Sequence, residues 1–203
     1  MKQDAKIERQ REIETAAYAL VEEKGYLGTS MLAVARRARA SNETLYNWYG
    51  DKLGLFKALV ASNTQTAREV LEASMNNNAG FDANLLQFGT TILMTVLGDR
   101  AIALNKAAAS DPTGELGDIL AKAGRETVLP LLQRMFRQEI PRGSILTDKD
   151  IAQTYLALLI SDRQIRRVIG SLPEPTEKEC HKISQNALLK LKYLLRVTEK
   201  IEG

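Results

Sequence analysis

Residues 25–52 read GYLGTSMLAVARRARASNETLYNWYGDK, and this stretch decides the fold. Gly25 is placed to end a first helix, because glycine enters the left-handed conformation at a helix C-terminus without steric cost. Thr29 or Ser30 can cap a second helix over Met31 to about Ala38, and Ser41 can cap a third from Asn42 to Tyr49. Gly50-Asp51 then interrupts the chain, and Asp51 can cap a long helix that carries Leu53, Leu55, Phe56, Leu59 and Val60. Two short helices joined by a tight turn at Arg39-Ala40 have the spacing of a helix-turn-helix.

On the first short helix Met31, Val34, Ala35 and Ala38 are spaced to pack inward. On the second, Leu45 and Tyr49 lie four apart and share the inner face. That leaves Asn42, Glu43, Tyr46, Asn47 and part of Trp48 outward. Asn, Ser and Thr hydrogen-bond base edges or phosphate, and Tyr can set its hydroxyl on a phosphate. Ser30 and Ser41 sit at helix N-termini, where free backbone N–H groups suit an anion. Arg39 lies in the turn, and Lys52 can reach the DNA backbone as a point charge.

Upstream, Ile7, Ile13, Ala16, Ala17, Leu20 and Val21 recur at three- and four-residue steps, the pattern of an amphipathic helix. Downstream the chain reads as helix throughout. Asn76-Asn77-Asn78 and Gly80 precede a helix over Phe81–Leu97, and Gly98-Asp99 separates it from Arg100–Ser110. After the loop at Asp111–Gly114, one long helix is expected from about Glu115 to Glu139, kinked at Pro130. Pro141-Arg142-Gly143-Ser144 ends it. Two closing helices follow, Asp148 to about Gly170 and Glu174 to about Lys200. The expected fold class is all-α, with a helix-turn-helix domain over residues 1–52 and a larger helical domain over 53–203.

The composition agrees with a folded helical protein. Of the 203 residues 44% are hydrophobic and 26% charged, while aromatics are only 5%. The net charge of +3 is too mild to announce nucleic acid by itself, although Arg36, Arg37 and Arg39 cluster. A single cysteine, Cys180, excludes an internal disulfide framework. With a charged N-terminus and no apolar run long enough to span a bilayer, a soluble cytoplasmic protein without a membrane partner is expected.

Within the first sixty residues the motifs combine. Gly25-Tyr26, Thr29-Ser30, Val34-Ala35, Ala38, Ser41, Thr44-Leu45-Tyr46 and Tyr49-Gly50-Asp51-Lys52 resemble the N-terminal signature of the TetR family of transcriptional regulators. The resemblance implies that the second short helix lies in the major groove. Ser41, Thr44, Tyr46 and Lys52 would then hold phosphate or bases, with Asn42, Asn47 and Trp48 at sequence-reading positions. Two positions depart from the pattern. Glu43 stands where a small or basic residue is common; it either accepts from a cytosine amino group or turns toward Arg39. Trp48 replaces a frequent His or Tyr, and core packing accounts for it as well as DNA contact does.

The resemblance further implies a homodimer that binds a palindromic operator, usually as a repressor, and is released by a small-molecule effector. Residues lining an effector pocket would be Phe88, Ile92, Met94, Leu104, Leu132, Met135 and Phe136, with Asn105, Arg125 and Gln133 to orient the ligand. Each also reads as ordinary core or surface. Tyr155–Gly170 resembles the closing region of the AefR-like subgroup. On that basis Tyr155, Leu158, Leu159, Asp162, Arg166, Ile169, Leu188, Leu191 and Leu195 would face a second copy, although their periodicity equally suits a bundle core.

An enzyme is disfavoured. His181 stands next to Cys180 with no metal-ligand set or triad partner at recognisable spacing, and no Gly-rich phosphate loop is present. No cofactor or metal is expected. The alternative is a ligand- or protein-binding module whose helix-turn-helix no longer reads DNA, which Glu43 and the modest charge favour.

Overall fold

The computed structural model describes residues 2–74, 79–137, 139 and 146–202. The Asn76–Asn78 break and the loop at Pro141–Ser144 lie outside them. Among the described residues every regular element is a helix: α1 (Lys2–Gly28), α2 (Met31–Arg37), α3 (Asn42–Tyr49), α4 (Lys52–Ser74), α5 (Phe81–Leu97), α6 (Asp99–Ala109), α7 (Glu115–Ala123), α8 (Arg125–Arg137), α9 (Asp148–Ile160), α10 (Arg163–Val168) and α11 (Glu177–Glu202).

The chain forms two compact units, Met1–Asn63 with Arg100–Ala123, and Thr64–Asp99 with Gly124–Gly203. These units differ from the expected division at residue 52. The apolar faces of α6 and α7, among them Leu104 and Leu116, are buried in the same core as α1 to α3.

In the first unit Ile13, Ala17, Leu20 and Val21 of α1 meet Met31, Val34 and Ala35 of α2, Leu45 of α3, and Leu55, Phe56 and Leu59 of α4. Burying a side chain such as Leu45 removes it from water at a gain of roughly 1.5–3 kcal/mol. The Tyr26 ring meets Phe56 edge-on, centroids 5.4 Å apart. Tyr18 donates its hydroxyl to the Leu59 carbonyl, which satisfies a polar group inside that core. Ile7, expected on the apolar stripe, is instead exposed.

In the second unit α5, α8, α9 and α11 surround Leu85, Phe88, Leu93, Leu132, Phe136, Tyr155 and Leu159. Phe136 meets both Phe81 and Tyr155 edge-on. Arg167, buried, donates to the Leu97 carbonyl at 2.8 Å and the Leu172 carbonyl at 3.2 Å, and pairs with Asp99 at 2.6 Å. A guanidinium carries enough donors to serve three acceptors at once, which compensates its burial.

Two helix boundaries correct the sequence reading. The expected long helix from Glu115 is two helices, broken at Gly124 and not at Pro130. Pro130 lies exposed within α8, where water can satisfy the carbonyl that loses its N–H partner. The expected helix from Asp148 to Gly170 is also two, because Ser161 takes φ 48°, ψ −134°. Ser161-Asp162 are poor helix formers whose side chains compete for backbone groups.

Candidate nucleic-acid interface

Local chemistry builds the helix-turn-helix step by step. Gly25, at φ 70°, interrupts the helical path of α1. Thr29 is buried and donates to the Gly25 carbonyl at 2.9 Å, closing the bend. Ser30 caps α2 by accepting the Ala33 N–H at 3.2 Å. Ser41 caps α3, accepting the Thr44 N–H at 2.9 Å. Asp51 accepts the Gly54 N–H at 2.7 Å at the start of α4. A Cβ at Gly54 would stand 1.8 Å from the Tyr49 carbonyl oxygen, so glycine alone lets the first turn of α4 abut the end of α3.

α3 presents the predicted face. Leu45 is fully buried, whereas Ser41, Asn42, Glu43, Tyr46 and Asn47 are exposed and Thr44 is half-buried. Tyr46 leaves 49% of its surface free. Glu43 and Arg39 are both exposed and form no ion pair with each other. Trp48 is half-buried against the core, and the Lys6 ammonium lies 5.8 Å from its ring centre. Packing therefore occupies part of its ring and leaves the remainder open.

Tyr49 faces inward, with its hydroxyl buried and without a hydrogen-bond partner. Burial, reinforced by the Glu14 carboxylate, pushes that hydroxyl up to about 12. It stays a neutral phenol at any physiological pH.

Lys52 is more constrained than a solvated point charge. Its ammonium lies 4.2 Å from the centre of the Tyr26 ring and donates to the Leu27 carbonyl at 3.4 Å. Partial burial lowers its pKa. Arg37 pairs with Glu23 at 2.7 Å, while Arg36 and Arg39 are exposed without an ion pair among the described residues. Sequence reasoning missed the participation of Lys6 and Arg9, which reach this region from α1; nothing in their local spacing signals it.

The residues expected to line an effector pocket do not all meet. Phe88, Ile92, Leu132, Met135 and Phe136 share the core of the second unit. Leu104 is buried in the first unit's core, and Asn105 in the same helix donates to the Ala101 carbonyl at 2.8 Å. Met94 is 46% exposed. Gln133 is half-buried, and the Arg125 side chain lies outside the described residues.

The proposed self-association surface needs a similar correction. Tyr155, Leu159 and Leu191 are buried in their own unit and offer nothing to a second copy. Tyr155 also donates its hydroxyl to the Leu85 carbonyl at 2.7 Å. Asp162, Arg166 and Ile169 are exposed; Leu158, Leu188 and Leu195 are half-buried. Ile165, Leu189, Tyr193 and Leu194 are exposed large apolar groups on the same helices.

Cys180 is buried and its thiol is pushed up by that burial, while His181 is exposed. Among the described residues no group of three His, Cys, Asp or Glu could hold a metal, and no helix is long and apolar enough to cross a membrane.

This geometry defines a class, a helix-turn-helix protein whose second short helix carries an exposed polar face. Residues 13–59 match the family described as bacterial regulatory proteins, tetR family. The chain as a whole has the fold of solved TetR-family transcriptional regulators. A TetR-family regulator from Mesorhizobium loti superposes with a TM-score of 0.73 at 22% identity, over 93% of this chain and 96% of that one. A TetR regulator from Agrobacterium tumefaciens gives 0.69 at 22% identity, over 92% and 93%. The regulator FadR from Bacillus subtilis, solved with stearoyl-CoA, gives 0.70 at 16% identity, over 89% and 96%. No curated protein matches the chain by sequence.

Proposed function

We propose that the chain is a sequence-specific transcriptional repressor which binds a palindromic operator as a homodimer and is released by a small-molecule effector. The observation that carries this reading is the exposed face of α3. Asn42, Glu43, Tyr46 and Asn47 stand free on a helix whose N-terminus is capped by Ser41 and whose inner side is locked by Leu45. A rigid helix with free polar side chains is what base reading requires. Arg39, Ser30, Thr44 and Lys52 flank it with phosphate-binding groups, and Trp48 adds a partly open ring.

Two copies are inferred from the exposed apolar groups of α10 and α11, with Ile165 58% and Tyr193 68% exposed, and from Ile169 just after α10. Such groups are costly to leave in water and are suited to a self-complementary interface. The effector is assigned to the second unit, around Phe88, Ile92, Leu132, Met135 and Phe136. Ligand binding there would favour a dimer whose two α3 helices no longer match successive major grooves.

The test is a titration of purified protein against its own upstream intergenic DNA, with random DNA as control, at two salt concentrations. Fragments selected from genomic DNA extend the search to distant operators. Preferred, salt-sensitive binding to a palindromic site supports the reading. No preferred fragment from the whole genome would leave a helical binding module that does not read DNA.

A further inference from the structure

The turn between α2 and α3 holds a residue in a conformation that its side chain disfavours. Arg39 has φ 51°, in the left-handed region that glycine and asparagine enter far more readily. The hydrogen bonds at the end of α2 demand it. Ala40 N–H donates to the Ala35 carbonyl at 2.9 Å, and Arg39 N–H donates to the Arg36 carbonyl at 3.2 Å. This pair of bonds closes a Schellman end, in which the residue after the cap must be left-handed and is usually glycine. Ser41, two residues later, is already the cap of α3. The direction in which the recognition helix departs is therefore set at a strained residue.

That residue is held from another element. Arg9 of α1, thirty positions earlier, donates from Nη2 to the Arg39 carbonyl oxygen at 2.6 Å. Its other terminal nitrogen pairs with Glu12, one turn further along α1. Glu12 thus fixes the guanidinium, and the guanidinium fixes the Arg39–Ala40 peptide.

We propose that Arg9 is a positioning residue for the recognition helix, clamping the left-handed turn so that α3 keeps one orientation. The inference rests on the DNA-reading function proposed above. It assigns Arg9 a role through the backbone of Arg39, where a bare count of positive charge would make it one more phosphate contact.

The clamp predicts coupling between the two positions. At residue 39 glycine adopts the left-handed turn without strain, so it needs no clamp. Four proteins decide the matter: wild type, R9A, R39G and the double variant. Each is measured against a duplex bearing the preferred site, against random DNA across a salt series, and by thermal melting without DNA.

R9A is expected to lose about tenfold in affinity for the preferred site, the equivalent of one charge-assisted hydrogen bond. Its binding to random DNA and its salt slope stay unchanged. R39G sets its own baseline, since it also removes a guanidinium; added to it, R9A changes affinity by less than about twofold. The melting temperature follows the same pattern, falling in R9A and not falling further in the double variant.

Equal losses from R9A in both backgrounds, or a flattened salt slope, would overturn the proposal and make Arg9 a phosphate contact. If no variant prefers any site, the DNA-reading function falls and the positioning role with it. The melting data then still decide whether the clamp exists, because unchanged melting in R9A excludes it.

Discussion

The Ser41 hydroxyl accepts the Thr44 N–H at 2.9 Å and shares a hydrogen bond with the Thr44 hydroxyl at 2.8 Å. One side chain thereby satisfies a free donor of α3 and orients a second group beside it, at the end of the helix where phosphate is expected. Stability and the proposed DNA contact are superimposed at this residue. They separate by substitution. Ser41→Ala removes the cap and should cost about 1 kcal/mol in denaturant unfolding, with weaker binding to all DNA. Ser41→Asp keeps a capping oxygen, so its stability should stay near wild type, yet its negative charge should abolish measurable operator binding. Operator binding by Ser41→Asp at wild-type strength would remove this end of α3 from the phosphate contacts.

Lys52 and Tyr26 form a second such pair, with the ammonium 4.2 Å from the ring centre. The ring holds the charge in place at a contribution of about 0.5–1 kcal/mol for a partly exposed site. Lys52→Ala should weaken binding to specific and random DNA alike and reduce the salt slope by about one. Tyr26→Leu should weaken binding less and leave the slope intact, since the charge remains. An unchanged slope in Lys52→Ala would show that Lys52 serves the Leu27 carbonyl and not phosphate.

The helix-turn-helix was legible because its determinants are local. Ser30, Ser41, Gly25 and Asp51 act on backbone groups within four residues, and Leu45 follows from helical period alone. What escaped depends on groups far apart in sequence. Nothing near Arg9 announces the Arg39 carbonyl, and nothing near Arg167 announces Leu97 and Asp99. The same limit explains Tyr155, Leu159 and Leu191. A stripe of apolar residues states that a face is covered, and only the fold shows that their own unit covers it. Leu104 and Leu132 are equally apolar, yet they lie in different cores. Gly124 prevailed over Pro130 because a proline on an exposed face interrupts one bond, whereas glycine adds backbone freedom where the helix ends.

Acid should act on two helix starts in the second unit. Asp150 accepts the Thr147 hydroxyl at 2.6 Å and the Thr147 N–H at 3.0 Å, and these bonds hold its carboxyl below the usual range. Glu179 accepts the Thr176 N–H at 2.7 Å and the Thr176 hydroxyl at 2.8 Å, with the same effect. A carboxyl whose folded pKa is depressed contributes stability that is present above its ordinary pKa. That contribution disappears as pH falls through the depressed folded value. The double variant Asp150→Asn, Glu179→Gln cannot titrate at either place. Its melting temperature should lie below wild type at neutral pH, with the gap closing below about pH 4. A gap that stays constant from neutral to acid would show that the two carboxylates do not stabilise these helix starts.

Gly89 of α5 sets how closely α9 and α11 approach. A Cβ there would stand 2.2 Å from Ser184 Oγ and 2.3 Å from Tyr155 Oη. Both hydroxyls are committed, Tyr155 to the Leu85 carbonyl at 2.7 Å and Ser184 to the Leu86 carbonyl at 3.0 Å. Gly89→Ala would gain about 1 kcal/mol of helix propensity. Against this, it must displace two buried donors, each worth about 1–3 kcal/mol when left unpaired, and strain the packing around them. The balance is a loss of roughly 2 kcal/mol or more, read by urea unfolding. Adding Ser184→Ala relieves one of the two collisions and should recover part of that loss. Because the site lies wholly in the second unit, the N-terminal domain keeps its α3 face, and Gly89→Ala should still bind random DNA as wild type does. Stability equal to or above wild type would mean that α9 and α11 can move apart freely, and the close contact at Gly89 would then hold nothing together.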